Sequence, residues 1–241
     1  MAFTAMLFSF KQLNNQRQVI GQSGVNPLIL HINLNNMPQI NSISQLDIKG
    51  TYTYADYLTW KFEQALELIK GKIFPMSAPS RAHQKLSWKL TVVFDNFFKN
   101  HRCEAYAAPF DVRLYDRKKS QKSDKDIYTV VQPDLCVVCD LAKLDDRGCL
   151  GAPDLIVEIL SPGNSKREMK TKKDLYAESG VLEYWVLDYT HETVTRFNLE
   201  GESSYGRPLI FVSDDPLTSV IFPDFTFNLS ELFPVMENSN V

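Results

Sequence analysis

In LIVEIL, Leu155 to Leu160, a single carboxylate, Glu158, stands in the middle of an apolar run. Burying an unpaired carboxylate costs several kcal/mol, so such a residue needs a cation, a hydrogen-bonding partner or a raised pKa. The plainer alternative is a glutamate on a solvated strand face or paired with an arginine. Asp134, after Pro133 in the apolar stretch VVQPDLCVV, faces the same cost. If the two stretches are paired strands, neighbouring positions lie about 4.8 Å apart and both carboxylates can reach one cation. Oxygen ligands without nearby His or Cys suit Mg²⁺ or Mn²⁺ better than zinc. Such a cation polarises a phosphoryl oxygen and lowers the pKa of bound water, which is the chemistry of phosphodiester hydrolysis. Asp154 is four residues before Glu158 on the same strand, roughly 13 Å away at about 3.3 Å per residue, which fits a strand-start or turn role.

A positive charge near the phosphate would complete this site. The segment Ser165 to Ser179 reads as a helix stopped by Gly180, with Met169, Leu175 and Tyr176 on its inward stripe. Lys172 falls within that stripe, whereas Lys166, Arg167 and Lys170 fall on solvated faces. Lys172 is therefore the candidate cation, and a lysine that snorkels from a packed helix is the equal alternative.

These residues need elements to hold them. Thr53 and Asp56 form a weak capping box for a short helix. Ala65 to Ile69 and Lys72 to Met76 flank a Lys70-Gly71 turn and predict a hairpin, with Pro75 at an edge or strand end. Ser80 caps a longer helix that carries Leu86, Leu90, Val93, Phe94, Phe97 and Phe98 at helical spacing. From Ala107 the pattern turns to strands: FDVRLYD, IYTVVQPDLCVV and DLIVEIL, then EYWVLDY and TVTRFNL after the lysine-bearing helix.

The ordered set VVQPDL, APDLIVEILSP and KTKKDLYAESGVLEYWVLD resembles the PD-(D/E)XK nuclease superfamily. Within it, the chain looks like the restriction-endonuclease branch abundant in cyanobacteria, formerly catalogued as a domain of unknown function. The resemblance runs from about Tyr54 to FNLSELF. It implies a restriction-endonuclease-like α/β fold, a central mixed β-sheet flanked by helices, with Asp134 and Glu158 as the metal carboxylates. Leu160 stands where the superfamily usually has lysine, and in this branch the lysine comes from the following helix, at the position of Lys172. Glu67, in ALELIKGKI, matches an acidic position of the branch and would be a third acidic ligand or a carboxylate supporting the site. Read from the hairpin alone, it is equally a surface glutamate. His83, after APSRA, would orient water or contact phosphate, or simply cap its helix. Asp111, in FDVRL, would support the metal carboxylates or serve as an ion-pair partner.

The expected activity is that of a metal-dependent endonuclease acting on DNA. The alternative is a catalytically degenerate nuclease-fold protein that binds nucleic acid or a protein partner. A homodimer is expected by analogy, because cutting two strands calls for two sites. With 241 residues, 44% of them hydrophobic, the chain suits one domain over 51–241, with 1–50 as an N-terminal extension. No apolar run reaches the eighteen or more residues of a membrane span, and a cytoplasmic location is expected. A net charge of −3 excludes a protein that coats nucleic acid by overall charge. Nucleic-acid contact must therefore be local, and Asp116 to Lys125 and Ser165 to Lys173 are the two basic stretches. The first reads as a solvated connection, with phosphate contact as the sharper alternative. Cys136 and Cys139 form a CxxC pair, but residues three apart on a strand face opposite ways, so the four cysteines read as small buried hydrophobes rather than zinc ligands.

Overall fold

A computed structural model describes residues 39–115, 123–161 and 166–233. Its α-helices are α1 (Tyr54–Tyr57), α2 (Arg81–Phe98) and α3 (Lys166–Ser179). The first strands are β1 (Leu66–Ile69), β2 (Lys72–Pro75), β3 (Glu104–Ala107), β4 (Val112–Leu114), β5 (Thr129–Val131) and β6 (Leu135–Val138). They are followed by β7 (Leu144–Asp145), β8 (Gly148–Leu150), β9 (Leu155–Ile159), β10 (Glu183–Asp188) and β11 (Thr193–Glu200). Short pieces close the chain: β12 (Ser204–Tyr205), β13 (Leu209–Phe211), β14 (Pro216–Thr218) and β15 (Thr226–Asn228).

The central sheet runs β12-β11-β10-β9-β6-β3, with β13 also on β11. It is mixed: β9 and β10 are parallel and joined through α3, while β6 is antiparallel to β9. A parallel pair needs such a crossover because a tight turn cannot return the chain to the same end. Alternation along the strands sends side chains to two cores. Leu135, Val137, Leu155, Val157, Trp185 and Leu187 pack with Leu86, Leu90, Phe94 and Phe98 of α2. Cys136, Ile156, Tyr184 and Val186 pack with Leu175 and Tyr176 of α3. The sheet is thus flanked by one helix on each face, as the sequence led us to expect.

A second sheet, β2-β1-β5-β4-β8-β7, was not foreseen as a separate layer. The stretch IYTVVQPDLCVV, read from the sequence as one strand, is two. β5 lies in the second sheet and β6 in the central one, with Gln132, Pro133 and Asp134 at the crossing. Pro133 has no N–H to give a ladder, which suits a break. β3 lies just ahead of the point, Ala107, where the sequence turns back to strands, and its short EAYA run carries little hydrophobic signal.

The local chemistry is otherwise as expected. Thr53 and Asp56 form a reciprocal capping box, and the Ser80 side chain accepts from His83 N–H. Lys70 and Gly71 both have positive φ, 51° and 80°, as a two-residue hairpin turn of the twist-compatible kind demands. β2 with Pro75 lies at a sheet edge. Ile40, Ile43, Tyr52 and Leu46 pack into a third cluster with Tyr54, Trp60, Leu66 and Leu68, so the packed body begins ahead of residue 51.

The cysteines require a correction. Cys103 and Cys139 form a disulfide, while Cys136 and Cys149 are free and buried. The pairing follows from the β3–β6 register: Glu104 opposes Val138, so one step further Cys103 opposes Cys139. No sequence pattern shows which strand lies beside Cys139. Of the expected turn at Ser161 to Asn164 all but Ser161, and most of the basic stretch Asp116 to Lys125, lie outside the described residues.

Candidate metal centre

The antiparallel register of β6 and β9 pairs Leu135 with Val157. Extending it one step sets Asp134 opposite Glu158, so the two carboxylates leave adjacent strands on the same side. Asp134 is fixed from three directions. Its Oδ2 accepts Ile159 N–H at 2.7 Å, its Oδ1 lies 3.3 Å from His83 Nε2, and its backbone carbonyl accepts Ala108 N–H at 3.1 Å. The hydrogen bond to Asp134 raises the His83 pKa above 6.5, against the effect of burial. His83 Nδ1 is buried and has no hydrogen-bond partner among the described residues.

Glu158 is held from α3. Lys172 Nζ donates to Glu158 Oε1 at 3.0 Å, and the Tyr176 hydroxyl donates to the same oxygen at 2.6 Å. Lys172 and Tyr176 are one helical turn apart, so both reach β9 from one face. Burial pushes the Glu158 carboxyl up to about 7; Lys172 pulls it down, and Glu67 and Asp134 add to the rise. Burial opposes the charge on Lys172, but Glu158 and Glu67 outweigh it and hold its pKa well above the ordinary value. Lys172 is therefore an ammonium placed among acids.

Glu67 comes from β1 of the second sheet and is 4% exposed, so the surface reading of this glutamate is excluded. Its Oε1 accepts from Lys172 Nζ at 3.0 Å and from Gln132 N–H at 3.0 Å. Asp111 joins through the same residue, since Gln132 Nε2 donates to Asp111 Oδ1 at 2.8 Å. The structure thus gathers Asp134, Glu158, Lys172, Glu67 and His83 directly and Asp111 through Gln132. Asp154 stands apart at the start of β9, where its Oδ2 accepts Cys139 N–H at 2.7 Å.

Two contributors escaped the sequence reading. Tyr176 was placed on the inward stripe but given no polar role, although its position four residues after Lys172 was the available signal. Gln132 carries no such signal, because its role depends on two sheets meeting at one three-residue crossing.

Among the described residues, no three His, Cys, Asp or Glu side chains converge to enclose a metal. The donor set of Asp134 and Glu158, carboxylate oxygens, is of the kind that hard cations such as Mg²⁺ and Mn²⁺ take. Magnesium keeps several waters and is usually held through one or two carboxylates plus substrate oxygens. Lys172 and Tyr176 both donate to Glu158 Oε1.

A mixed sheet flanked by helices, with carboxylates from two adjacent inner strands meeting a helix lysine, is the restriction-endonuclease-like class of α/β fold. The sequence model of the Uma2 family, described as "Putative restriction endonuclease", matches residues 54–230, and the chain belongs to that family. A crystal structure from Anabaena variabilis, titled as that of "a putative nuclease belonging to DUF820", has the same fold: TM-score 0.60, 20% identity, 76% of this chain and 97% of that one. "Uncharacterized protein slr1290" of Synechocystis is 27% identical over 134 residues, 55% of this chain and 65% of its own length. The match thus spans slightly less than two thirds of that relative. No helix among the described residues is long and apolar enough to cross a membrane.

Proposed function

We propose that this protein is a metal-dependent endonuclease that hydrolyses phosphodiester bonds in DNA. Asp134 and Glu158 would hold the metal, and Lys172 would carry the positive charge beside the scissile phosphate. The observation that supports this reading best is the contact of Lys172 Nζ with Glu158 Oε1 at 3.0 Å, which restores a lysine to the site despite Leu160. A bound Mg²⁺ or Mn²⁺ supplies Lewis acidity toward the phosphoryl oxygen and acidifies water. In the net reaction water adds hydroxide to phosphorus, one P–O ester bond breaks, and the leaving alkoxide takes the remaining proton.

The chain's own residues prepare that step. Ile159 N–H and His83 fix the rotamer of Asp134, so its carboxylate is aimed before substrate arrives. Tyr176 and Lys172 together hold Glu158 Oε1 and so fix the carboxylate that would take the metal. Glu67 keeps Lys172 protonated and in place. A fixed ammonium lowers the energy of charge developing on phosphate without reorganisation during reaction.

The test is a time course on supercoiled plasmid with Mg²⁺, Mn²⁺ or EDTA, comparing wild type with Glu158→Gln. Metal-dependent nicking that disappears in the variant is expected. A wild type that cuts no DNA with either metal, yet binds it, would favour a catalytically degenerate binding protein instead.

A further inference from the structure

Trp88 is 72% exposed, whereas Trp60 and Trp185 are buried. An indole left in water on a regular helix is unusual, since tryptophan is highly buried on average. Arg81, Lys85, Trp88 and Val92 are all exposed and follow i, i+4, i+7, i+11 spacing along α2. They form one stripe opposite Leu86, Leu90, Phe94 and Phe98, which face the core. The described residues offer no ion-pair partner to Arg81 or Lys85. Lys89 differs: its Nζ donates to the carbonyls of Glu231 and Leu232 at 2.8 and 3.4 Å, so it serves the fold.

The charges are also poorly placed for helix stability. α2 has no acid in its first turn, and Arg81 and Lys85 set positive charge against the positive end of the helix dipole. An anion lying along this face would relieve that repulsion. The first acid in α2 is Asp95, beyond Trp88 and Val92. His83, which touches Asp134, belongs to the buried face of the same helix, so the stripe shares α2 with the candidate site and lies on its outer face. Trp88 lies about 7.5 Å further along the axis at about 1.5 Å per residue.

We infer that this face of α2 docks a single-stranded segment of nucleic acid, with Arg81 and Lys85 on phosphates and Trp88 stacked on an unpaired base. The inference deepens the nuclease reading and rests on it. Cations position the backbone without reading sequence, and an exposed indole suits any base with a free π face. A duplex offers that ring no internal base face, which favours the unpaired strand.

The test uses the full chain in EDTA, so that binding is measured without cleavage. Anisotropy is read with labelled oligothymidylate of roughly 20 nucleotides and with a duplex of equal length. Trp88→Ala should weaken single-strand binding about 5- to 150-fold. Arg81→Ala with Lys85→Ala should weaken it and lower the slope of log affinity against log salt by about 1.4, about 0.7 per lost contact. Oligothymidylate should quench tryptophan emission in the wild type and not in Trp88→Phe. Wild-type binding that all three variants retain, or duplex binding as tight as single-strand binding, would overturn the docking face and leave the nuclease reading standing if plasmid is still cut. Self-association removed by Trp88→Ala, with nucleic-acid binding unchanged, would make the face an interface between copies and overturn the inference. No binding and no cleavage by the wild type would overturn both.

Discussion

Lys172 Nζ stands 3.0 Å from the carboxylates of both Glu158 and Glu67, bridging a strand of the central sheet and a strand of the second sheet. One helix residue thus ties together two acids separated by 91 positions in the chain. Removing it exposes what it balances.

Lys172→Met should leave two buried carboxylates facing each other without a cation. Loss of one partner of a buried pair costs about 3–5 kcal/mol. Urea unfolding at about pH 8 should show that loss, and it should shrink at about pH 5, where Glu158 is protonated. Adding Glu67→Gln should recover part of the stability while plasmid cleavage stays at least about 100-fold down. Recovery of cleavage in the double variant would remove Lys172 from the proposed chemistry.

The metal-free protein should lose stability as pH rises from about 5 to about 8. Burial raises the Glu158 carboxyl from 4.5 to about 7, so the folded protein holds this proton more tightly than the unfolded chain. That contribution is complete below 4.5 and is lost as pH rises through about 7. His83 adds the same sign: its pKa is raised, so its contribution is complete below 6.5 and lost as pH rises through the folded value. Melting temperatures measured in EDTA across this range should fall more steeply for wild type than for Glu158→Gln.

Mg²⁺ should act in the opposite direction, because a carboxylate must be deprotonated to hold it. The Mg²⁺-induced rise in melting temperature should grow from about pH 6 to about pH 8 in the wild type. Asp134→Asn should abolish it. An equal rise at both pH values, or one that survives Asp134→Asn, would place the binding elsewhere.

Glu183 should be among the costliest residues to remove outside the candidate site. It is fully buried in β10, and it accepts from Trp185 Nε1, Asn198 Nδ2, Ser219 Oγ and the N–H groups of Val220 and Ile221. A buried carboxylate with this many donors stabilises the structure through them, and its loss leaves each unsatisfied at about 1–3 kcal/mol. Glu183→Ala should therefore prevent folding or lower unfolding free energy by more than about 3 kcal/mol. A change below about 1 kcal/mol would show that water replaces the carboxylate.

The Cys103–Cys139 bridge should contribute roughly 3–4 kcal/mol through the chain it closes, with no effect on cutting. Alkylation and mass analysis without reductant should find two free thiols, Cys136 and Cys149, and the unfolding midpoint should drop on reduction. Four alkylated thiols in the untreated protein would show that the bridge does not form.

Periodicity, caps and turn residues made much of the local structure legible. The capping box at Thr53, the Lys70-Gly71 turn, the α2 stripe and the inward placement of Lys172 each depend on residues within a few positions, and such interactions survive translation into sequence rules. The cost of burying charge singled out Glu158 and Asp134 without knowledge of their neighbours. Glu67 could not be resolved between surface and interior, since its burial depends on β1 meeting the crossing at Gln132. Tyr176 was seen as apolar cover and not as a donor to Glu158.

By itself, then, the sequence determined where the helices and the longer strands lie and which acids would be costly to bury. Only the tertiary structure decided that Asp134 opposes Glu158, that Glu67 arrives from a different sheet, that Cys103 meets Cys139, and that the basic stripe with Trp88 remains open. Those are relations between distant segments, set by strand register and by which layers pack together. A one-residue slip in register would turn each strand carboxylate to the opposite face, and no local spacing records it.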